Sequence, residues 1–467
     1  VRDRKLYLGD NLDVLRTELS PESVDLVYLD PPFNSDRQYN VIFREDQQPA
    51  AQARAFHDSW RWGPEAAVWY EEGMNYGGRI AETLVGLRRF LNQSNLMAYL
   101  AMLAPRLIEL RRVLRPDGSL VLHCDPTAGH YVKILLDAIF GPENFRNELV
   151  WCYRGGGVPR NAFARKHDTL FWYAKSSNAP FFPQYEPYSA ASQQLVRSRG
   201  GVSIDGRQRD LERGAHMTDW WSDINSLQTW SPERLGYPTQ KPRALLERVI
   251  KALSREGSTV LDPFCGCGTT VAAAEALNRN WVGIDIAVIA ISVIERMLQD
   301  DFGLRVHING IPADFESARA LARRDPFQFE AWAVSKITHL RPNKTQVGDR
   351  GVDGVGWFNV TSDSPSKIVA QVKGGQVGPA AVRDLLGTMQ AEHADLGVLI
   401  VMDRITPHMA AAAASAGVYS GDGTMFARPI PRIQIASVHD HFDGRHPVLP
   451  PMLRIRPRAV GGGNPEP

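Results

Sequence analysis

Two apolar runs in this chain each stop at an aspartate followed by proline: "SVDLVYLDPPF", ending on Asp30, and "STVLDPFCGCGTT", ending on Asp262. Val24, Leu26, Val27, Tyr28 and Leu29 read as a buried strand, and Pro31 and Pro32 end it because proline fixes φ and has no N–H to pair. Between the two runs lie the helical pattern "MAYLAMLAPRLIELRRVL", the strand "GSLVLHCD" and the helix "GHYVKILLDAIF". Apolar strands alternating with helices predict a parallel α/β sheet, which binds ligands at the carboxyl ends of its strands.

At 467 residues the chain exceeds a single core. The strand–helix rhythm predicts a first domain over 1–300, interrupted at 151–235 by a lobe rich in Gly, Pro, Arg and aromatic residues. A linker is expected over 301–325, a second α/β domain over 326–445 and a Pro/Gly-rich flexible tail over 446–467. No run approaches eighteen apolar residues, the start "VRDRKLYLGD" is no signal peptide, and four cysteines make no disulfide framework. A cytoplasmic protein without a membrane partner is therefore expected. Cys265 and Cys267 read as packing thiols, and His123 and Cys124 as strand-end core residues rather than metal ligands. Net charge is +1, but cations cluster in the lobe: Arg154, Arg160, Arg165, Lys166, Lys175 and Arg197 precede further arginines, with few acids opposing them. Trp151, Tyr153, Trp172, Tyr173, Phe181, Phe182, Tyr185 and Tyr188 are interleaved, a mixture that suits phosphates and stacked bases.

In "VLDPFCGCGTT" a strand leads through Gly266 and Gly268 into a helix, and Asp285 ends the next strand, "WVGID". Such a turn lets a ligand approach backbone amides, and an acid at Asp285 commonly accepts ribose hydroxyls. Asp262 occupies the strand end where a dinucleotide site places glycine, and no Lys-Ser/Thr follows. A ligand with an ammonium and a ribose but no phosphate fits, and S-adenosylmethionine is one. For "DPPF" the chemistry is that of a base amine, whose lone pair is delocalised into its ring. The Asp30 carboxylate and the Pro31 carbonyl can accept both amino hydrogens, Pro32 stiffens the turn, and Phe33 offers a stacking face.

The pair of motifs resembles the amino-methyltransferases of DNA, in the permuted beta class whose catalytic motif precedes the cofactor motif. The resemblance covers residues 1 to about 300. "YLGDNLDVL" is similar to the segment that contacts the cofactor's adenine, here Asp10 with Asn11, and "YPTQKPRALLERVI" to the segment beside its methionine end, here Thr239, Gln240 and Lys241. The resemblance implies a Rossmann-like S-adenosylmethionine-dependent methyltransferase sheet with the target-recognition lobe at 151–235. Asp262 would bind the methionine amine and Asp285 the ribose, with Phe264, Gly266 and Gly268 completing the turn. It implies adenine in double-stranded DNA as substrate, the exocyclic amine of cytosine being the alternative. No Pro-Cys pair is present for ring-carbon methylation.

Further on, "GDRGVDGVGWF" and "SKIVAQVKGG" read as a hairpin that brings Asp353 beside Gln371 and Lys373. An acid, an oxygen ligand and a lysine can hold Mg²⁺ and activate water. This resembles an Mrr-type restriction-endonuclease-like α/β domain with Gln371 replacing the usual second acid and Glu330 placed as an upstream helper. It implies one polypeptide of a restriction–modification system, acting with a second copy of itself or with other subunits. A DNA-binding domain that does not cleave is the alternative.

Overall fold

The structure is a computed structural model that describes residues 2–32, 37–43, 51–58, 61–155, 159–198, 210–228, 231, 233–235, 237, 239–337, 340–343, 351–358, 366–419 and 429–450. The chain divides into two compact units, and the main boundary falls between Ile311 and Pro312.

The first unit is built on nine strands: β1 Arg4–Leu8, β2 Val24–Leu29, β3 Leu114–Cys124, β4 Phe145–Cys152, β5 His167–Ala174, β6 Trp220–Trp221, β7 Thr259–Asp262, β8 Asn280–Asp285 and β9 Ile308–Asn309. They lie in the order β6-β4-β5-β3-β2-β7-β8-β1-β9. Every neighbouring pair is parallel except those of β5, which runs antiparallel to both β3 and β4. The central strands are apolar on both faces because helices cover both, as β2 with Leu26, Val27, Tyr28 and Leu29 fully buried illustrates. On one side lies the helix Asn95–Val113, capped by Ser94 on the Met97 amide and buried through most of its length. The helix Gly129–Phe140 has the span that its sequence pattern predicts.

Three expectations change. The sheet is mixed rather than parallel, and its antiparallel strand β5 lies inside the segment read as a lobe. The aromatics of β4 and β5 belong to the core: Trp151, Trp172 and Tyr173 are buried, so they cannot stack on DNA. The expected linker is also structured. Residues Val288–Phe302 finish a helix, β9 pairs with β1, and Phe315–Arg324 form a helix closed by a capping box at Asp314 and Ser317.

In the second unit β10 Arg341–Pro342, β11 Gly354–Phe358, β12 Ser366–Lys373, β13 Leu396–Val401 and β14 Ile433–Ser437 form a sheet in chain order. β11 and β12 make the expected hairpin, with Gly354 opposite Ala370. β12, β13 and β14 are parallel and pack on the helix Pro379–Ala391 through Val369, Leu385, Met389 and Leu399. Of the expected tail, residues 451–467 lie outside the described residues. Among the described residues no helix is long and apolar enough to cross a membrane.

Gly268 sits at φ 84°, and a Cβ there would come within 2.7 Å of the Ile294 side chain. Gly268→Ala should therefore lower stability by about 1–3 kcal/mol, read as a drop in the urea midpoint with an unchanged slope.

Candidate active site

The parallel strands β1, β2, β7 and β8 all end on one edge of the sheet. Register sets Leu8 beside Asp285, Asp262 beside Gly283, and Val27 beside Leu261. Asp10, Asp30, Asp262 and Asp285 thus come from four chain segments to one rim.

The turn after β7 is held by its own acids. Asp262, 3% exposed, accepts the Phe264 amide at 3.0 Å and the Thr270 hydroxyl at 2.5 Å. Asp285 accepts the Gly266 amide at 2.8 Å and the Ala287 amide at 2.8 Å. The Gly266 backbone, at φ 51°, passes close to the buried Tyr237 ring, so a Cβ would sit 3.3 Å from it. Phe264 packs half-buried against the core. Burial pushes the Asp262 carboxyl up to about 7, opposed by the Thr270 and Phe264 hydrogen bonds and reinforced by Asp30 and Asp285. Burial also raises Asp285, to about 6, against its three backbone hydrogen bonds. Both carboxylates face neutral donors, an environment that a cationic or polyhydroxylated ligand would complete.

Asp10 and Asn11 are anchored by a residue that the sequence reading passed over as helix core. Arg106, 4% exposed on the helix Asn95–Val113, donates to both Asp10 oxygens at 3.0 and 2.9 Å and to Asn11 Oδ1 at 2.6 Å. Asn11 in turn donates to the Pro263 carbonyl at 2.8 Å, which ties the helix Asn11–Thr17 to the turn after β7. The signal for Arg106 was its lone charge within "MAYLAMLAPRL".

Lys241 has a partner that its motif did not announce. Its Nζ lies 2.5 Å from Asp30 Oδ2, with the two side chains 10% and 17% exposed. Asp30 Oδ1 is buried and has no hydrogen-bond partner among the described residues. Thr239, exposed and at φ 59°, shapes the approach to Lys241. Gln240 braces the same loop by accepting the Leu235 amide and donating to the Glu233 carbonyl. Pro31 is buried and Pro32 half-buried, while Phe33 lies outside the described residues.

Beneath Asp30 runs a buried polar chain. The Tyr28 hydroxyl meets His123 Nδ1 at 2.8 Å, His123 Nε2 meets Asp168 at 3.1 Å, and Tyr153 donates to Asp168 at 3.1 Å. Burial pushes the Asp168 carboxyl up, but the His123 bond and charge, the Lys241 charge and the Tyr153 bond hold it below the ordinary range. His123 is a strand-end core residue, as expected, yet it is also the centre of this network.

In the second unit Asp353 does meet β12. Its amide donates to the Ala370 carbonyl, and its Oδ2 accepts the Val372 amide at 2.6 Å. Gln371, 3% exposed, donates to the Thr388 hydroxyl at 3.0 Å, and its buried Oε1 has no partner among the described residues. Lys373 ends the strand half-buried, and Glu330 is half-buried on the helix Pro326–Ser335. For a divalent cation this offers one carboxylate and one neutral amide oxygen. Among the described residues no three His, Cys, Asp or Glu side chains gather to hold a metal.

Comparison with known proteins matches residues 24–296 to the N6/N4 methyltransferase family profile, described as DNA methylase. Residues 328–423 match a profile described as NACHT-associated inactive Restriction Endonuclease 1. Curated relatives include the Type II methyltransferase M.BglII of Bacillus subtilis, 27% identical over 60% of this chain and 65% of that protein. M.BamHI of Bacillus amyloliquefaciens is 26% identical over 60% of this chain and 54% of its own length. The chain therefore spans less than two thirds of either relative. A solved cytosine-N4-specific PvuII DNA methyltransferase aligns at 15% identity, over 62% of this chain and 86% of that one, with a TM-score of 0.37.

The raised Asp262 and Asp285 carboxyls bind protons in the folded state that the unfolded chain has already released, so their contribution to stability falls as pH rises from about 4 to about 7. Asp262→Asn should remove part of that fall, making the ligand-free variant more stable than the parent at pH 8 by about 1–4 kcal/mol and closer to it at pH 4. Urea unfolding at the two pH values measures the difference.

Proposed function

We propose, from the premise that this chain belongs to the N6/N4 DNA methylase family, that its first unit methylates the exocyclic amine of adenine in double-stranded DNA. The observation that carries this reading is the buried, unpartnered Asp30 Oδ1 beside the Lys241 ammonium. It is an acceptor in want of a hydrogen, which the amino group of a base would supply. When bound, S-adenosylmethionine supplies an electrophilic methyl group on a positively charged sulfur.

The donor set fits that cofactor. Asp262 meets neutral donors only and suits an ammonium, and Asp285 stands at a strand end and suits ribose hydroxyls. Gly266 and Gly268 let the turn pack closely on Tyr237 and Ile294, while Phe264, Thr239 and the Asp10–Asn11 pair complete the rim. Exposed Ile286, directly after Asp285, offers an apolar face to a purine ring. On the substrate side Asp30 Oδ1 and the Pro31 carbonyl accept the two amino hydrogens, which localises the nitrogen lone pair. Methylation leaves an extra proton on that nitrogen, and Asp30 is the base positioned to take it. Adenine is favoured over cytosine because the motif opens on aspartate.

The second unit is best read as holding DNA without cutting it. One Asp353 oxygen is already taken by the Val372 amide, and the matched profile is of an inactive endonuclease. Gln371 is also a poorer Mg²⁺ ligand than the carboxylate it replaces.

Sequencing with modified-base detection, on DNA from cells expressing the chain, should find N6-methyladenine at one recurrent site. N4-methylcytosine would overturn the choice of base, and unmodified DNA the activity itself. Asp30→Ala should lower methyl transfer by about 100-fold or more, with cofactor affinity within about threefold of the parent. Incubation of unmodified plasmid with Mg²⁺ should leave it intact; nicking that disappears in Lys373→Ala would reverse the reading of the second unit.

A further inference from the structure

Asp30 lies at the sheet edge with its side chain only 17% exposed, so a base paired within a duplex cannot reach it. The base has to leave the stack, and the gap it leaves is one that an apolar side chain can fill. On the reading that this chain methylates such a base, we propose that Phe163 is the wedge that enters the DNA stack when the target base leaves it.

Phe163 is 100% exposed, and it was not among the aromatics singled out in the sequence. It stands on the loop between β4 and β5. Because β4 runs parallel to β3 and β2, that loop leaves the sheet at the same edge as Asp30. The base of the loop is fixed. The Tyr153 amide donates to the Lys166 carbonyl at 3.0 Å, and the Lys166 ammonium donates to the Gly155 carbonyl. Tyr153 is also tied through Asp168 and His123 to Tyr28, two residues before Asp30. The strand separation of β2 from the loop base, two to three steps, is about 10–15 Å, a distance compatible with an extruded nucleotide.

The same loop carries exposed cations, Arg154, Arg160 and Arg165. An apolar side chain on a loop that also carries guanidinium groups suits a duplex, where phosphates flank an apolar base step. Other exposed aromatics have neighbours: Phe181 lies 5.5 Å from Trp172, and Phe182 lies under Arg255 at 5.9 Å. Trp220 stands on the edge strand β6, beyond β4.

The test uses the full chain and duplexes carrying the methylation site found by sequencing, with the target base either paired or facing an abasic position. Single-turnover methyl transfer is measured for the parent, Phe163→Ala and Phe163→Trp. Phe163→Ala should be slowed about tenfold or more on the paired duplex and return to within about threefold of the parent on the abasic one. Phe163→Trp, which keeps an aromatic wedge, should stay within about threefold on both. An unchanged rate for Phe163→Ala on paired DNA overturns the wedge, as does a loss that the abasic duplex does not relieve. Transfer absent from the parent itself on both duplexes would instead overturn the methylation reading on which the wedge rests.

Discussion

The first unit turns on one ion pair. Lys241 and Asp30 are far apart in the chain, and both lie largely out of water where they meet. Removing either partner of such a pair strands the other charge, at a cost of about 3–5 kcal/mol. The pair therefore locks the segment before the helix Arg243–Leu253 onto the end of β2. It also occupies one carboxylate oxygen and leaves the other bare, so the same contact that fastens the fold defines which oxygen can meet a ligand. A lysine suits this task better than an arginine, whose planar fork tends to engage both oxygens.

The rim around that pair is rich in acid. Four aspartates converge where parallel strands end, and the described structure answers them unequally. Asp10 has the Arg106 guanidinium and Asp30 has the Lys241 ammonium. Asp262 and Asp285 have only hydroxyl and amide donors, and burial raises both. Two sites of opposite need result: a carboxylate already balanced by a fixed cation, and a carboxylate pair still lacking one. The first suits a neutral base and the second a positively charged cofactor.

Much of this was legible in the residues. The strand ends at Asp30, Asp262 and Asp285 could be read because proline and glycine punctuate them without ambiguity, and the helix Gly129–Phe140 because its periodicity is clean. The rest depended on tertiary pairing that local pattern does not carry. "HDTLFWYA" reads equally well as an aromatic surface or a buried strand, and only its pairing with both β3 and β4 decides for the core. Arg106 looked like one charge in an apolar helix, because Asp10 and Asn11, its side-chain partners, lie more than ninety residues away. Lys241 was read from its motif as a cofactor residue, and its ion pair with Asp30 was not legible because the two lie more than two hundred residues apart. The hairpin that joins Asp353 to β12 was foreseeable from spacing, but the use of their polar atoms on Val372 and Thr388 was not.

The place of β1 in the sheet bears on how the protein is made. Both of its neighbours, β8 and β9, come from the far end of the first unit, with Arg4 beside Trp281 and Leu6 beside Ile308. At a synthesis rate of 5–20 residues per second, the strand emerges roughly 15–55 s before its first neighbour exists. For that interval the strand lacks both of the neighbours that hold its backbone in the sheet, although Tyr7 can already pack on Val14 and Leu15, which makes its pairing a late step in folding.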